Sequence, residues 1–215
     1  MKRLIILLIF IPFLSQSQIE GKQHNQLILR GATLINSTGA PPIGPVDIVI
    51  EKNIITKVQN VGYPGVPINE NRRPKLSKNG VEINCEGSYI LPGFIDTHGH
   101  IGGRSQGASP DYVFKLWMAH GITTIREPGG SLSHELKLEL KNKSEKNTIV
   151  APRIIAFSTF NSRVQSPDEA KEWVRDNAKK GSDGIKFFGA PPEIMQAAIE
   201  ENKRLGLRST SHHAQ

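Results

Sequence analysis

Leu91-Pro-Gly-Phe-Ile-Asp-Thr-His-Gly-His100 ends an apolar strand with two histidines spaced i, i+2. Side chains alternate across a strand, so His98 and His100 are expected on one side, with Thr97 and Gly99 on the other. Two imidazoles presented together are metal-ligand geometry. A bare His-x-His also occurs as surface or hydrogen-bonded core histidines, so the surrounding sequence has to decide. That sequence changes character at this string.

Upstream, the pattern is extended chain. Leu27 to Ile35 is rich in β-formers and Val46-Asp-Ile-Val-Ile50 alternates, with turn residues from Gly39 to Pro45 between them. Lys52-Asn53 turns the chain into a third strand, Ile54 to Val58. A loop rich in Pro, Gly, Asn and Arg runs from Gly62 to Gly80, and Val81 to Leu91 returns as extended chain.

Downstream, short strands alternate with helices, as a parallel sheet built from β-α units requires. The strand at Ile95 precedes a helix within Asp111 to His120, opened by Ser109-Pro110 and stopped by Gly121. Ile122 to Arg126 is the second strand, and Ser133 caps a helix across Glu135 to Lys141. Arg153 to Thr159 is the third strand. Ser166-Pro-Asp-Glu169 is a capping-box opening, with Ala170, Trp173, Val174 and Ala178 at helical spacing. Gly184 to Phe188 is the fourth strand, Pro191 to Leu205 holds the fourth helix, and Leu207 to His213 is the fifth strand.

Composition narrows the class. A chain of 215 residues with 37% hydrophobic content can bury a real core. Net charge is +7, and without Lys2 and Arg3 it is +5. The excess is spread among acidic residues, which fits a solvated surface and gives no nucleic-acid patch. Lys2-Arg3, the apolar run Leu4 to Leu14 and the polar Ser15-Gln-Ser-Gln18 have the layout of a secretory signal. The run is shorter than the roughly 20 residues that span a bilayer. The expectation is cleavage near Ser17, export to a periplasmic or secreted location, and no membrane attachment afterwards. The sole cysteine, Cys85, is expected as a small buried apolar residue.

Lys186 is the second decisive residue. In Gly184-Ile-Lys-Phe-Phe188, Ile185 and Phe187 share one face, and two large apolar side chains belong against the helices. Lys186 then projects inward, where burial pushes its pKa down and favours a reactive neutral amine. The competing reading is a lysine snorkelling at the strand end.

Pro92-Gly-Phe-Ile-Asp-x-His-x-His100, together with Ile185-Lys186, resembles the amidohydrolase superfamily, nearest its imidazolonepropionase-like and prolidase-like branches. The resemblance runs from about Leu27 to Gln215. It implies a partial (β/α)8 TIM-type barrel, about five of eight units, preceded by a small β-sandwich. The corresponding segments are a signal at 1–17, the β segment at 18–90 and the partial barrel at 91–215. It implies four metal ligands at strand ends: His98, His100, Lys186 as a carbamate formed with carbon dioxide, and His213. For His213, strand parity with Leu207, Ser209 and Ser211 is the supporting argument, leaving His212 outward with Thr210. Arg126, followed by the acid Glu127, is expected to contact substrate or to pack. His24, His120 and His134 are read as structural.

The same resemblance implies two divalent ions, zinc best matching imidazole and carboxylate-type oxygen donors. The implied reaction cleaves a carbon–nitrogen bond in a small amide, cyclic amide or dipeptide through a metal-bound hydroxide. Complete members add a histidine after strand six and a proton-transferring aspartate after strand eight. This sequence holds neither, so the expectation is a truncated chain, inactive alone. Two alternatives stay open: a non-catalytic metal- or ligand-binding remnant, and a mononuclear deaminase of the same superfamily that does not need Lys186. A doubly wound open sheet also fits the element order.

Overall fold

Among the described residues, extended chain followed by strand–helix repetition gives two five-stranded sheets. The computed structural model describes residues 24–160 and 163–212. The expected signal at 1–17 and the candidate ligand His213 therefore lie outside the described residues.

The first sheet comprises β1 (Gln26–Leu34), β2 (Ile43–Glu51), β3 (Ile54–Asn60), β4 (Val81–Asn84) and β5 (Tyr89–Ile90), ordered β3-β2-β1-β4 with β5 also beside β1. β1 to β3 are antiparallel, whereas β4 and β5 run parallel to β1. Lys52, with φ of +57°, makes the β2–β3 turn as its place before Asn53 suggested. The single extended run expected over Val81 to Leu91 is divided in two. β1 bulges at Gly31, where φ is +73° and the missing Cβ leaves room for the Glu86 side chain. The partner chain answers with a turn in which Ser88 N–H donates to the Cys85 carbonyl at 2.9 Å. Cys85 is accordingly half-buried in a turn and not in the core.

The second sheet is the expected partial barrel. β6 (Phe94–Asp96), β7 (Ile122–Glu127), β8 (Arg153–Phe160), β9 (Gly184–Phe187) and β10 (Arg208–Ser211) lie side by side in chain order, every pairing parallel. Helices α1 (Pro110–Ala119), α2 (His134–Glu145), α3 (Pro167–Lys180) and α4 (Pro192–Arg204) fill the crossovers. Three begin on serines that accept a backbone N–H with the side chain: Ser109 from Tyr112, Ser133 from Leu136 and Ser166 from Glu169. α3 stops at Gly181, left-handed at φ +99°. No helix among the described residues is long and apolar enough to cross a membrane.

Two apolar clusters glue helices to strands. Ile101, Phe114, Ile125, Ile154 and Ala156 form one; Phe160, Ala170, Val174, Ile185, Phe187, Ile194 and Ala198 belong to the other. This fixes the sidedness of the sheet, because Ile185 and Phe187 are spent on the helix side. Lys186, between them in sequence, must emerge on the inner side. On that side Gly184 makes way for the Phe157 ring, which would lie within 2.6 Å of an added Cβ.

Candidate functional site

The inner side of the second sheet collects its polar groups at the strand C-termini. β6 ends at Asp96, earlier than expected, because the Asp96 carboxylate accepts the His98 backbone N–H at 2.8 Å and bends the chain. His98 and His100 therefore stand in a bend beyond the strand and not within its ladder. They still face one another, with ring centroids 5.9 Å apart and planes at 88°. Gly99 keeps its N–H on the Arg126 carbonyl at 3.1 Å and sits where a Cβ would strike Ile125. The bend is thus clamped to β7.

Two cations, Lys186 and Arg126, approach this pair. The His98 imidazole is held below its ordinary pKa by desolvation, then by the charges of Lys186, His100 and Arg126, against an upward pull from Asp96. Lys186 is also pushed down, by burial first and then by Arg126. Only 3% of Lys186 is exposed, and its Nζ donates to the Ser211 carbonyl at 3.2 Å and lies 5.4 Å above the Phe188 ring. The snorkelling reading would need an ammonium reaching water, which this burial opposes. Arg126 donates Nε–H to the Thr97 carbonyl and lays its guanidinium 5.5 Å from the Phe157 ring centroid. These contacts position Arg126 at the mouth without assigning it a substrate.

Between the histidine bend and Lys186 runs Pro128-Gly129-Gly130. Gly129, at φ +136°, comes so close to Thr159 and Lys186 that a Cβ would lie 2.9 Å from the Thr159 hydroxyl and 3.9 Å from Lys186 Cγ. At Gly130 a Cβ would lie 3.3 Å from His100 Nδ1. Small residues here let one loop touch both candidate donors.

The sidedness expected for the last strand is overturned. Ser209 pairs with Ile185 of β9 and its hydroxyl accepts from Asn202 of α4 at 2.7 Å, while Leu207 packs on the helix-side cluster. Leu207, Ser209 and Ser211 thus belong to the outer face. Thr210 pairs with Lys186, and His212, expected outward, stacks on Phe188 at 5.2 Å and 17° on the side of that lysine.

His120 and His134 have local roles. His120 ends α1, with Nδ1 2.8 Å from the Leu116 carbonyl. His134 lies 3.2 Å from the Ser158 hydroxyl and 3.1 Å from that of Ser182, in a half-buried polar knot under the sheet. The residue that strand and motif reasoning underrated is Glu127, 1% exposed and 3.1 Å from His100 Nδ1. Its only sequence signal is an acid at a strand end before a Gly-Gly turn.

Among the described residues, no three His, Cys, Asp or Glu side chains converge as a metal site. The described donor set is two imidazoles and a buried lysine, whose amine becomes an oxygen ligand only on carboxylation. That set suits a divalent ion of the zinc type, with His98 held neutral and its lone pair available.

Comparison with known proteins agrees with this architecture. Molinate hydrolase has the same fold, with a TM-score of 0.66 and 17% identity over 89% of this chain and 54% of its own. A prolidase complexed with N-methylphosphonate-L-proline gives 0.61 and 18%, over 87% of this chain and 56% of its own. An amidohydrolase structure gives 0.64 and 18% over the same shares. The fold is that of the amidohydrolases. By sequence, adenine deaminase 2 of Desulfotalea psychrophila is 31% identical over 105 residues, 49% of this chain. The chain spans 15% of that deaminase and about half the length of the structures it resembles. No protein-family model matches.

Proposed function

We propose that this chain supplies the metal-binding strands of an exported amidohydrolase that cleaves carbon–nitrogen bonds in small amides, cyclic amides or dipeptides. The observation that carries the proposal is the placement of Lys186. A lysine 3% exposed, on the inner face of β9, is near enough for its charge to act on His98, whose ring centroid is 5.9 Å from that of His100. Among the described residues, Lys186 forms no ion pair and donates to a carbonyl. The prolidase with a bound proline analogue lends support to a dipeptide or related amide as substrate.

A divalent ion bound here supplies Lewis acidity, lowering the pKa of water and polarising a carbonyl. The chain's own residues do the rest of what this half-barrel offers. His98 and His100 donate nitrogen lone pairs. The Lys186 amine, its pKa lowered by burial, would attack the carbon of carbon dioxide: the N–C bond forms as one C=O π bond opens onto oxygen, the nitrogen proton passes to solvent water, and the carbamate would serve as an oxygen donor to a divalent ion. Arg126 holds the Thr97 carbonyl and so fixes the entry to the histidine bend. Its positive charge beside the site favours an anionic group.

Metal analysis of the purified chain loaded with zinc tests this. Bound zinc is expected to fall in both His98→Ala and Lys186→Ala. Metal content unchanged in the two variants overturns the proposal. A second reading, a mononuclear deaminase, draws its deaminase half, and not its metal count, from the 31% identity to adenine deaminase 2. It is favoured if Lys186→Ala keeps one ion and His98→Ala loses it.

A further inference from the structure

The Glu127 carboxylate is buried and has three hydrogen-bond partners among the described residues. Oε2 accepts the Ile101 backbone N–H at 2.8 Å; Oε1 accepts the Gly129 N–H at 2.9 Å and faces His100 Nδ1 at 3.1 Å. An ionised carboxylate can only accept, so the proton on this last contact belongs to the imidazole. A neutral His100 must then carry hydrogen on Nδ1 and a lone pair on Nε2, which has no hydrogen-bond partner among the described residues. Gly130 closes over the pair, and an added Cβ would sit 3.2 Å from Glu127 Oε1 and 3.3 Å from His100 Nδ1. Trp117 Nε1–H donates to the His100 carbonyl at 3.2 Å, fixing the backbone of the same residue.

The negative charge has a counterpart beneath the sheet. Lys137, 2% exposed, donates Nζ–H to the Phe157 carbonyl at 2.9 Å. Burial lowers its pKa, and the charge of Glu127 pulls it back up. A carboxylate placed only to tie loops together would be satisfied by the two backbone N–H groups. Turning one oxygen to an imidazole that is itself a candidate donor points to a task at the site.

We propose that Glu127 is the positioning residue of this centre: it locks His100 as the Nδ1–H tautomer, keeping Nε2 as the donor for a divalent cation, and ties the bends after β6 and β7 to one carboxylate. The cation half rests on the function proposed above; the tautomer half stands without it. Carboxylates behind metal-bound histidines raise ligand basicity and fix ring orientation, and their loss weakens metal binding by roughly 10–100-fold.

Glu127→Gln probes this sharply, since one oxygen becomes an NH2 that must face either a backbone N–H or His100. Long-range 1H–15N correlation of the histidine-labelled full chain reads the wild-type tautomer directly. Protonated Nδ1 at His100 is expected, and protonated Nε2 overturns the proposal whether or not any variant folds. Zinc affinity, measured by competition with a chelator, is expected to fall roughly 10–100-fold in Glu127→Gln and to be partly rescued in Glu127→Asp. Wild-type affinity in a folded Glu127→Gln, while His100→Ala loses zinc, overturns the positioning role and leaves the metal centre standing. Zinc binding by neither wild type nor variant refutes the metal centre, and the tautomer then decides whether Glu127 orders His100.

Discussion

Among the described residues each of the two sheets buries one carboxylate almost completely, Asp47 in the first and Glu127 in the second, and the two are treated differently. Asp47 accepts from the Gly31 N–H at 2.8 Å, from Arg30 Nη1 at 2.9 Å and from Arg73 Nε at 3.2 Å. Arg30 in turn reaches Glu82 and the Pro74 carbonyl. That cluster is closed: two permanently charged guanidiniums lock strand, bulge and loop together, with nothing left to bind. Glu127 has backbone donors too, but its third partner is an imidazole at a strand-end mouth, and its balancing cation, Lys137, is not in contact as a salt bridge among the described residues. A buried acid saturated by arginines serves the fold, whereas one leaning on a titratable neighbour at a sheet's C-terminal edge is placed for chemistry.

The Asp47 cluster is the costlier of the two to disturb. Asp47→Ala leaves Arg30 and Arg73 without their shared anion and should cost about 3–5 kcal/mol in urea unfolding, while the folded fraction keeps wild-type zinc affinity. A loss of zinc binding there would erase the distinction between the two acids. Glu127→Gln should cost less, about 1–3 kcal/mol for one unsatisfied buried group, yet carry the whole change in zinc affinity.

The neutral polar knot around His134 sharpens the contrast further. Its pKa is lowered from the ordinary 6.5 by burial first and then by Lys137, with Glu135 opposing and Lys180 adding a little. The unfolded chain therefore takes up more protons than the folded one as pH falls below 6.5. Stability should decline across that window and level off below the folded pKa. Denaturation midpoints of wild type and His134→Gln, compared above and within the window, should show a larger acid-side loss in the wild type than in the variant, which keeps only the share due to His98. Smallest of all, Lys115→Ala removes an exposed 2.7 Å pair with Asp111 on α1 and should change stability by no more than about 0.5 kcal/mol. A larger shift would mean that exposed pairs matter here as buried ones do.

Much of the fold was legible because its signals are local. Ser109-Pro110, Ser133 and Ser166-Pro167 start three helices where their capping chemistry says they should. The direction of Lys186 followed from its two apolar neighbours, since Ile185 and Phe187 leave one choice of face. The His98–His100 pairing was legible too, although the Asx bend at Asp96 that delivers it was not.

The sequence alone determined the strand–helix alternation, the helix starts and the inward lysine, each set by neighbours within a few positions. Tertiary structure decided what local pattern leaves blank. Arg208-Ser-Thr-Ser211 has no apolar alternation, so only its register against β9 and the Asn202 contact show which side faces in. Glu127 and His100 lie 27 residues apart and meet because β6 and β7 pair in parallel, bringing two strand ends to the same edge. Hydrogen bonds of that span depend on how the sheet is assembled, and no window of sequence encodes them.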